Sequence, residues 1–272
     1  MATKIISVSN IKGGVGKTTL TALLTAFAPQ STQTLLLDAD PQGTLTDWAF
    51  HLLSDERKIE FTHHKQHSNL MSVLRSEKTI QRCLFDVNDK VRILPSTVGL
   101  EKSLELFSEY KGKEQMLRSA INDYFLYTKS DQNAENEANV QIIIDTAGDI
   151  GLLSLMSLVS ANTVLVPIAT SIFSIDSVNL ILQRVSQVQQ FLNSSLKEVR
   201  LIPTMVHRQR RTHRECLDHL RNQFPQLLYW QESEVLMLQN RAEVENFLHD
   251  NVRIPRRSPI YSSLQSLVSQ IA

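Results

Sequence analysis

The sequence predicts an α/β fold: a mostly parallel, twisted β-sheet with helices on both faces. Three observations predict it. Short runs rich in Ile, Val and Leu recur along the chain, longer helical patterns separate them, and a glycine-rich turn joins the first run to the first helix. The apolar runs are nearly continuous, which suits strands buried on both faces of a parallel sheet. Their alternation with helices argues for one α/β domain.

The expected strands are 4–9, 34–38, 91–94, 140–145, 163–168 and 199–205, and the expected helices include 17–28, 100–126, 174–193 and 212–223. The first strand, "KIISVS", begins almost at the start, so no separate N-terminal domain is expected. Residues 51–67 hold His51, His63, His64 and His67. No cysteines and no acid-supported helical pair accompany them, so this stretch reads as a solvated connection rather than a metal site. The stretch "KSDQNAENEAN" at 129–139 lacks core-forming residues and reads as an exposed loop leading into the next strand.

Composition narrows the function classes. A chain of 272 residues that is 42% hydrophobic and 21% charged forms one large domain or two small ones with a sizeable core. Lys plus Arg and Asp plus Glu both number 28, so no overall basic charge announces a nucleic acid, although a local patch remains open. Cys83 and Cys216 form no CxxC pair and read as reduced thiols of a cytosolic protein. No apolar run approaches the roughly 20 residues of a membrane span, and the N-terminus lacks signal-peptide character. The expected location is cytoplasmic.

"SNIKGGVGKTTL" at 9–20 carries the chemistry. A strand, a glycine-rich turn and a helix follow one another, the context of a phosphate-binding loop and of a P-loop NTPase. The glycines of Gly13-Gly14-Val15-Gly16 let backbone amides approach phosphate, and the helix directs its positive end at them. Lys17 is expected to reach the β- and γ-phosphates, Thr18 to bind Mg²⁺, and Thr19 to assist at the α-phosphate. The strict pattern G-x-x-x-x-G-K-[ST] fails at its first glycine, where Ile11 stands, and Lys12 follows directly.

This loop resembles the deviant Walker A motif, K-G-G-x-G-K-T-T, of the ParA/MinD family of ATPases. The resemblance implies that Lys12 crosses a dimer interface to the phosphates held by a partner subunit. "LLLDADPQGTLTDW" at 35–48 is similar to the family's D-x-D-P-Q-G motif, which places Asp38 and Asp40 beside the γ-phosphate and metal, with Asp40 aligning or activating the attacking water. "VQIIIDTAGDIG" at 140–151 supplies the Walker B strand, with Asp145 holding Mg²⁺ through water. The family usually continues D-T-P-P, whereas this chain has Ala147 and Gly148, whose amide is a candidate γ-phosphate contact.

D-T-A-G also resembles the signal-recognition-particle GTPases, and "TKSD" at 128–131 matches their base-reading motif. It precedes the Walker B strand instead of following it, so ATP is favoured over GTP. "LIPTMVHRQRRTHREC" at 201–216 resembles the ParA segment T-M-x-D-x-R-T, which implies a base pocket around Met205 and leaves Arg208, Arg210 and Arg211 eligible as its DNA-contacting arginine, in a basic run that continues to Arg214. Arg241 lies near a second contact region, and Arg256 and Arg257 are weaker candidates. The resemblance covers nearly the whole chain. It implies a partition or cargo-positioning ATPase that uses ATP and Mg²⁺, dimerises on ATP, and binds double-stranded DNA without sequence preference. A ParB-like or cargo-adaptor protein would stimulate hydrolysis, no membrane partner is expected, and nucleoid association follows. The alternatives are a MinD-like membrane switch, which the uncharged ending "IYSSLQSLVSQIA" disfavours, and a metabolic P-loop enzyme.

Overall fold

The computed structural model describes residues 4–100, 104–105, 107–130, 139–170, 174–231, 234–235, 238 and 242–271. The strands of its main sheet are β1 (Lys4–Val8), β2 (Gln33–Ala39), β3 (Phe85–Asn88), β4 (Val91–Leu94), β5 (Val140–Thr146), β6 (Thr163–Ala169) and β7 (Glu198–Thr204). They form one sheet in the order β3-β4-β2-β5-β1-β6-β7. All neighbours run parallel except β3 and β4 at the edge. The six expected strands are therefore present within a residue or two of their predicted ends.

The helices are α1 (Lys17–Phe27), α2 (Thr44–His51), α3 (Asp55–His67), α4 (Leu70–Leu74), α5 (Ile80–Cys83), α6 (Met116–Ser130), α7 (Leu152–Ser160), α8 (Ser174–Phe191), α9 (Arg211–Gln223), α10 (Ala242–Asp250) and α11 (Pro259–Ile271). Successive strand residues point to opposite faces, and both faces are covered. On one, Ile6, Val8, Leu36, Ile143 and Leu165 join Leu20 and Leu23 of α1 and Leu264 and Leu267 of α11. On the other, Leu35, Leu37, Ile142 and Ile144 join α6 and α7, while Val164, Val166 and Leu201 join α8 and α9. Each such fully buried side chain contributes roughly 1.5–3 kcal/mol.

Three expectations change. Residues 55–67 form a helix instead of a solvated connection. Asp55 and Glu56 occupy its first turn and His64, Lys65 and His67 its last, as the helix dipole favours. Phe61 is its one buried residue, which explains why no apolar stripe marks it in the sequence. His64 Nε2 lies 3.0 Å from the Cys83 carbonyl, a structural tie, and no metal-holding group of three or more side chains occurs among the described residues. The expected helix 100–126 is interrupted over 107–112, which are turns and irregular backbone with Gly112 at φ 74°, and α6 starts only at Met116. Strand β3 is an addition. Asn88 makes its turn into β4 by accepting from the amides of Lys90 (2.9 Å) and Val91 (3.0 Å). Of the polar stretch 129–139, residues 131–138 lie outside the described residues.

β1 pairs with β5 on one side and β6 on the other, so the chain reverses its direction of progress across the sheet beside β1. Ligands of open α/β sheets bind at such a switch point, beyond the carboxyl ends of the strands.

Candidate functional site

Beyond the carboxyl ends of β1, β2, β5 and β7 lies a cleft of about 540 Å³. Gly13, Gly14, Gly16, Lys17, Thr18 and Thr19 form its floor, with Asp40, Gly148, Asp149 and Met205 among its walls. The loop is built from β1 outward. Asn10 is buried at its base, donating to the Pro167 carbonyl (2.8 Å) and accepting from the Lys12 amide (3.1 Å). Gly16 enters α1 with φ 89°, a left-handed conformation that favours glycine. Thr204, at the end of β7, donates to the Val15 carbonyl (2.8 Å) and ties the loop to the far side of the sheet.

Lys17 is buried and its Nζ donates to the Lys12 carbonyl at 3.2 Å. Burial lowers its pKa, against the opposing pull of Asp145, Asp40 and Asp149. The side chain of Lys12 is partly exposed, so the two lysines of the loop occupy different environments.

Thr18 Oγ1 donates to Asp145 Oδ2 at 2.6 Å, joining the start of α1 to the end of β5. Asp145 and Asp38 stand at one level on paired strands, both fully buried. Burial first, and for Asp145 the Asp38 charge next, push Asp145 up to about 8; burial pushes Asp38 up to about 7. Asp145 Oδ1 is buried with no hydrogen-bond partner. An orphaned, buried carboxylate oxygen beside a Thr hydroxyl fits a hydrated Mg²⁺, which takes hard oxygen ligands and retains several waters.

The two aspartates of D-x-D-P-Q-G have different surroundings. Asp38 accepts from the Thr46 amide (2.8 Å), the Thr46 hydroxyl (2.6 Å) and the Asp40 amide (3.1 Å), so its oxygens are committed to α2 and the intervening turn. Asp40 is the member of the pair that lines the cleft, with Oδ1 accepting from the Gln42 amide at 2.9 Å.

Gly148 fills a role that its sequence neighbours do not announce. A Cβ there would meet Gly13 Cα and N at 2.8 Å and the Lys12 carbonyl carbon at 3.2 Å, so only glycine fits against the loop. Asp149, which sequence reasoning missed, also lines the cleft. Its Oδ1 accepts from the Gly151 amide (2.8 Å) and Ser154 hydroxyl (2.9 Å), bracing the start of α7.

Met205 has φ 54° and is 41% exposed at the junction of the cleft and a smaller, mostly apolar recess of about 130 Å³. Leu23, Leu238, Leu248 and Ile260 line that recess. "TKSD" is elsewhere: its first three residues end α6, and Asp131 lies outside the described residues.

Three residues beyond Met205 the arginine run begins. Arg208, Arg210, Arg211 and Arg214 are exposed, and Arg211 pairs with Glu215 at 2.7 Å one helical turn along α9. His213 Nδ1 accepts from the His207 amide (3.2 Å) and lies 2.6 Å from Thr170 Oγ1, anchoring the run to the strand end of β6. Burial, then the charges of Arg210 and His207, lower its pKa. Arg256 and Arg257 are exposed ahead of α11, and Arg241 lies outside the described residues.

Residues 3–198 match a family model described as an AAA domain. The chromosome partitioning protein ParA of Myxococcus xanthus is 27% identical over 228 residues, 83% of this chain and 73% of that protein. Apo McdA of Cyanothece superposes with a TM-score of 0.80 at 17% identity, covering 99% of each chain. Cobyrinic acid a,c-diamide synthase of Mycobacterium smegmatis, solved with an ATP analog and magnesium, gives 0.73 at 24% identity, covering 98% of this chain and 93% of that one. The two solved structures are likenesses of fold.

Proposed function

The chain belongs to the ParA/MinD-type ATPases, and from that premise we propose that it is a DNA-partition or cargo-positioning ATPase that dimerises on ATP. Its cofactors are ATP and Mg²⁺. The observation that carries the reading is the division between the loop's two lysines: Lys17 is buried and bonded to the loop itself, whereas Lys12 is partly exposed. In this reading Lys17 and the loop amides hold the phosphates of their own subunit, and Lys12 reaches those of the partner. Thr18 and Asp145 hold the Mg²⁺, which when bound supplies charge compensation for the β- and γ-phosphates. Asp40 orients the attacking water. Met205 and the apolar recess take the base.

The γ-phosphate acts as a population switch because it interacts with the partner subunit only in the dimer. The dimer doubles the patch of Arg208, Arg210, Arg211 and Arg214 and so binds duplex DNA without sequence preference. An adaptor on the cargo stimulates hydrolysis and releases the dimer, in the cytoplasm and on the nucleoid. A membrane switch is disfavoured by a specific observation. The apolar residues Ile260, Leu264, Leu267 and Ile271 of α11 are buried in the core, and Tyr261 packs edge-on against Phe27 at 5.1 Å, so that helix has no apolar face left for lipid. No helix among the described residues is long and apolar enough to cross a membrane.

The test is fluorescence titration of a random-sequence duplex with the protein in ATP and in ADP, across a salt series. Salt-sensitive binding in ATP alone is expected. Absence of duplex binding at every salt concentration would remove DNA from the account.

A further inference from the structure

We propose that Thr46 and Ser96 are positioning residues for hydrolysis, forming with Asp38 a closed clamp that fixes the backbone of Asp40. The proposal rests on the reading of Asp40 as the group that orients water. Neither residue lines the cleft, so each acts through Asp40.

The clamp is a ring of hydrogen bonds drawn from three elements. Asp38, at the end of β2, accepts from the Thr46 hydroxyl at 2.6 Å. That hydroxyl accepts in turn from the Ser96 amide at 2.9 Å, just beyond β4. Ser96 Oγ donates to the Asp40 carbonyl at 2.6 Å. The ring closes where the Asp40 amide donates to Asp38 Oδ1 at 3.1 Å. The amide and carbonyl of one residue, Asp40, are thus both gripped, and the Gly43 amide adds a second bond to the carbonyl at 2.9 Å.

Burial gives the ring its stiffness. Asp38, Thr46 and Ser96 are 0%, 2% and 3% exposed, so no water replaces a lost partner at little cost. The Thr46 hydroxyl is both donor and acceptor, and no apolar side chain of the same shape can do either. A carboxylate that must hold a water in line needs its backbone fixed to a fraction of an ångström, because a displacement of about 1 Å costs up to about 10²-fold in rate. Pro41 and Gln42 of the following turn line the cleft, and Ser96 and Thr46 lie against Gly43 at its end. The segment just beyond β4 that carries Ser96 therefore steadies a residue more than fifty positions earlier in the sequence.

The test compares Thr46→Val, Thr46→Ser, Ser96→Ala and Asp40→Ala. Thr46→Val keeps the shape and removes the hydroxyl; Thr46→Ser keeps the hydroxyl. The expected result is a fall in kcat of about 10- to 100-fold for Thr46→Val and Ser96→Ala, with ATP affinity unchanged and activity restored in Thr46→Ser. In the nucleotide-free protein, hydrogen exchange at the amides of Asp40 and Gly43 should quicken in both damaged variants while β1 and β5 stay protected. If Thr46→Val does not fold, Ser96→Ala alone carries the comparison, since it removes one hydroxyl from the Asp40 carbonyl. Wild-type protection at Asp40 and Gly43 overturns the clamp. Wild-type kcat in the damaged variants, where Asp40→Ala has lost turnover, overturns its part in catalysis. Wild-type turnover by Asp40→Ala itself refutes the water-orienting reading, and the exchange data then decide the clamp separately.

Discussion

Asp38 and Asp145 are register partners on two adjacent parallel strands, and both carboxylates are buried completely. Asp145 has an oxygen with no partner, and Lys17, whose charge opposes the rise at Asp145, has its own pKa lowered by burial. Burial therefore makes it costly for both carboxyls to carry charge at once.

The pH dependence follows from that pair. Both groups have folded pKa values above the ordinary 3.8, near 7 and 8, so the folded state binds protons that the unfolded chain has released. Stability of the nucleotide-free protein should fall as pH rises from about 5 to 9. Asp145→Asn should melt higher than wild type at pH 9, show a flatter pH profile, and lose the Mg²⁺-dependent stabilisation by ATP. Calorimetry in which the Asn variant is less stable at pH 9 would contradict this.

Gly148→Ala tests the close approach to the loop. Overpacking of this kind costs about 1–3 kcal/mol, and the nearest atoms are the backbone of Gly13. The expected outcome is a roughly 10- to 100-fold loss of ATP affinity with an unchanged circular dichroism spectrum. Wild-type affinity would show that the loop yields freely.

Most of the sheet was legible because buried parallel strands are written as unbroken apolar runs, and the glycine-lysine loop marks its own strand–turn–helix context. The elements missed lack those signals. Helix α3 buries only Phe61, so no stripe distinguishes it from a solvated segment. Strand β3 did carry a pattern, with Phe85 and Val87 inward and Asp86 and Asn88 outward, but four residues are short for a strand assignment. At the site, Asp40 and Asp145 are marked by motif, whereas Thr46 and Ser96 matter through contacts between residues fifty apart, which spacing cannot reveal. The DNA candidates were legible as a run; the pairing of Arg211 with Glu215 was not singled out.

Asp40→Ala should separate binding from turnover. Loss of a group that positions water costs about 10²–10⁴-fold in rate, while the loop amides, Lys17 and Asp145 remain. The variant should accumulate as an ATP-bound dimer with slow phosphate release. Single-turnover rates equal to wild type would transfer the role to another residue.

The arginine patch predicts a salt signature. Each phosphate contact contributes about −0.9 to the slope of log affinity against log salt. Arg210→Ala with Arg211→Ala should weaken binding to every duplex and flatten the slope, leaving ATP-driven dimerisation intact. Glu215→Gln should strengthen binding by releasing Arg211 from its partner. An unaltered slope in the double variant would place the DNA surface elsewhere.

The most direct measurement is sedimentation velocity of wild type, Lys12→Ala and Lys17→Ala with and without ATP and Mg²⁺, alongside equilibrium ATP binding. Wild type should shift from monomer to dimer on ATP. Lys12→Ala should bind ATP and stay monomeric, and Lys17→Ala should lose ATP capture and the dimer together. An ATP-dependent dimer of undiminished stability in Lys12→Ala would contradict the account, because Lys12 would then have no part in joining two subunits.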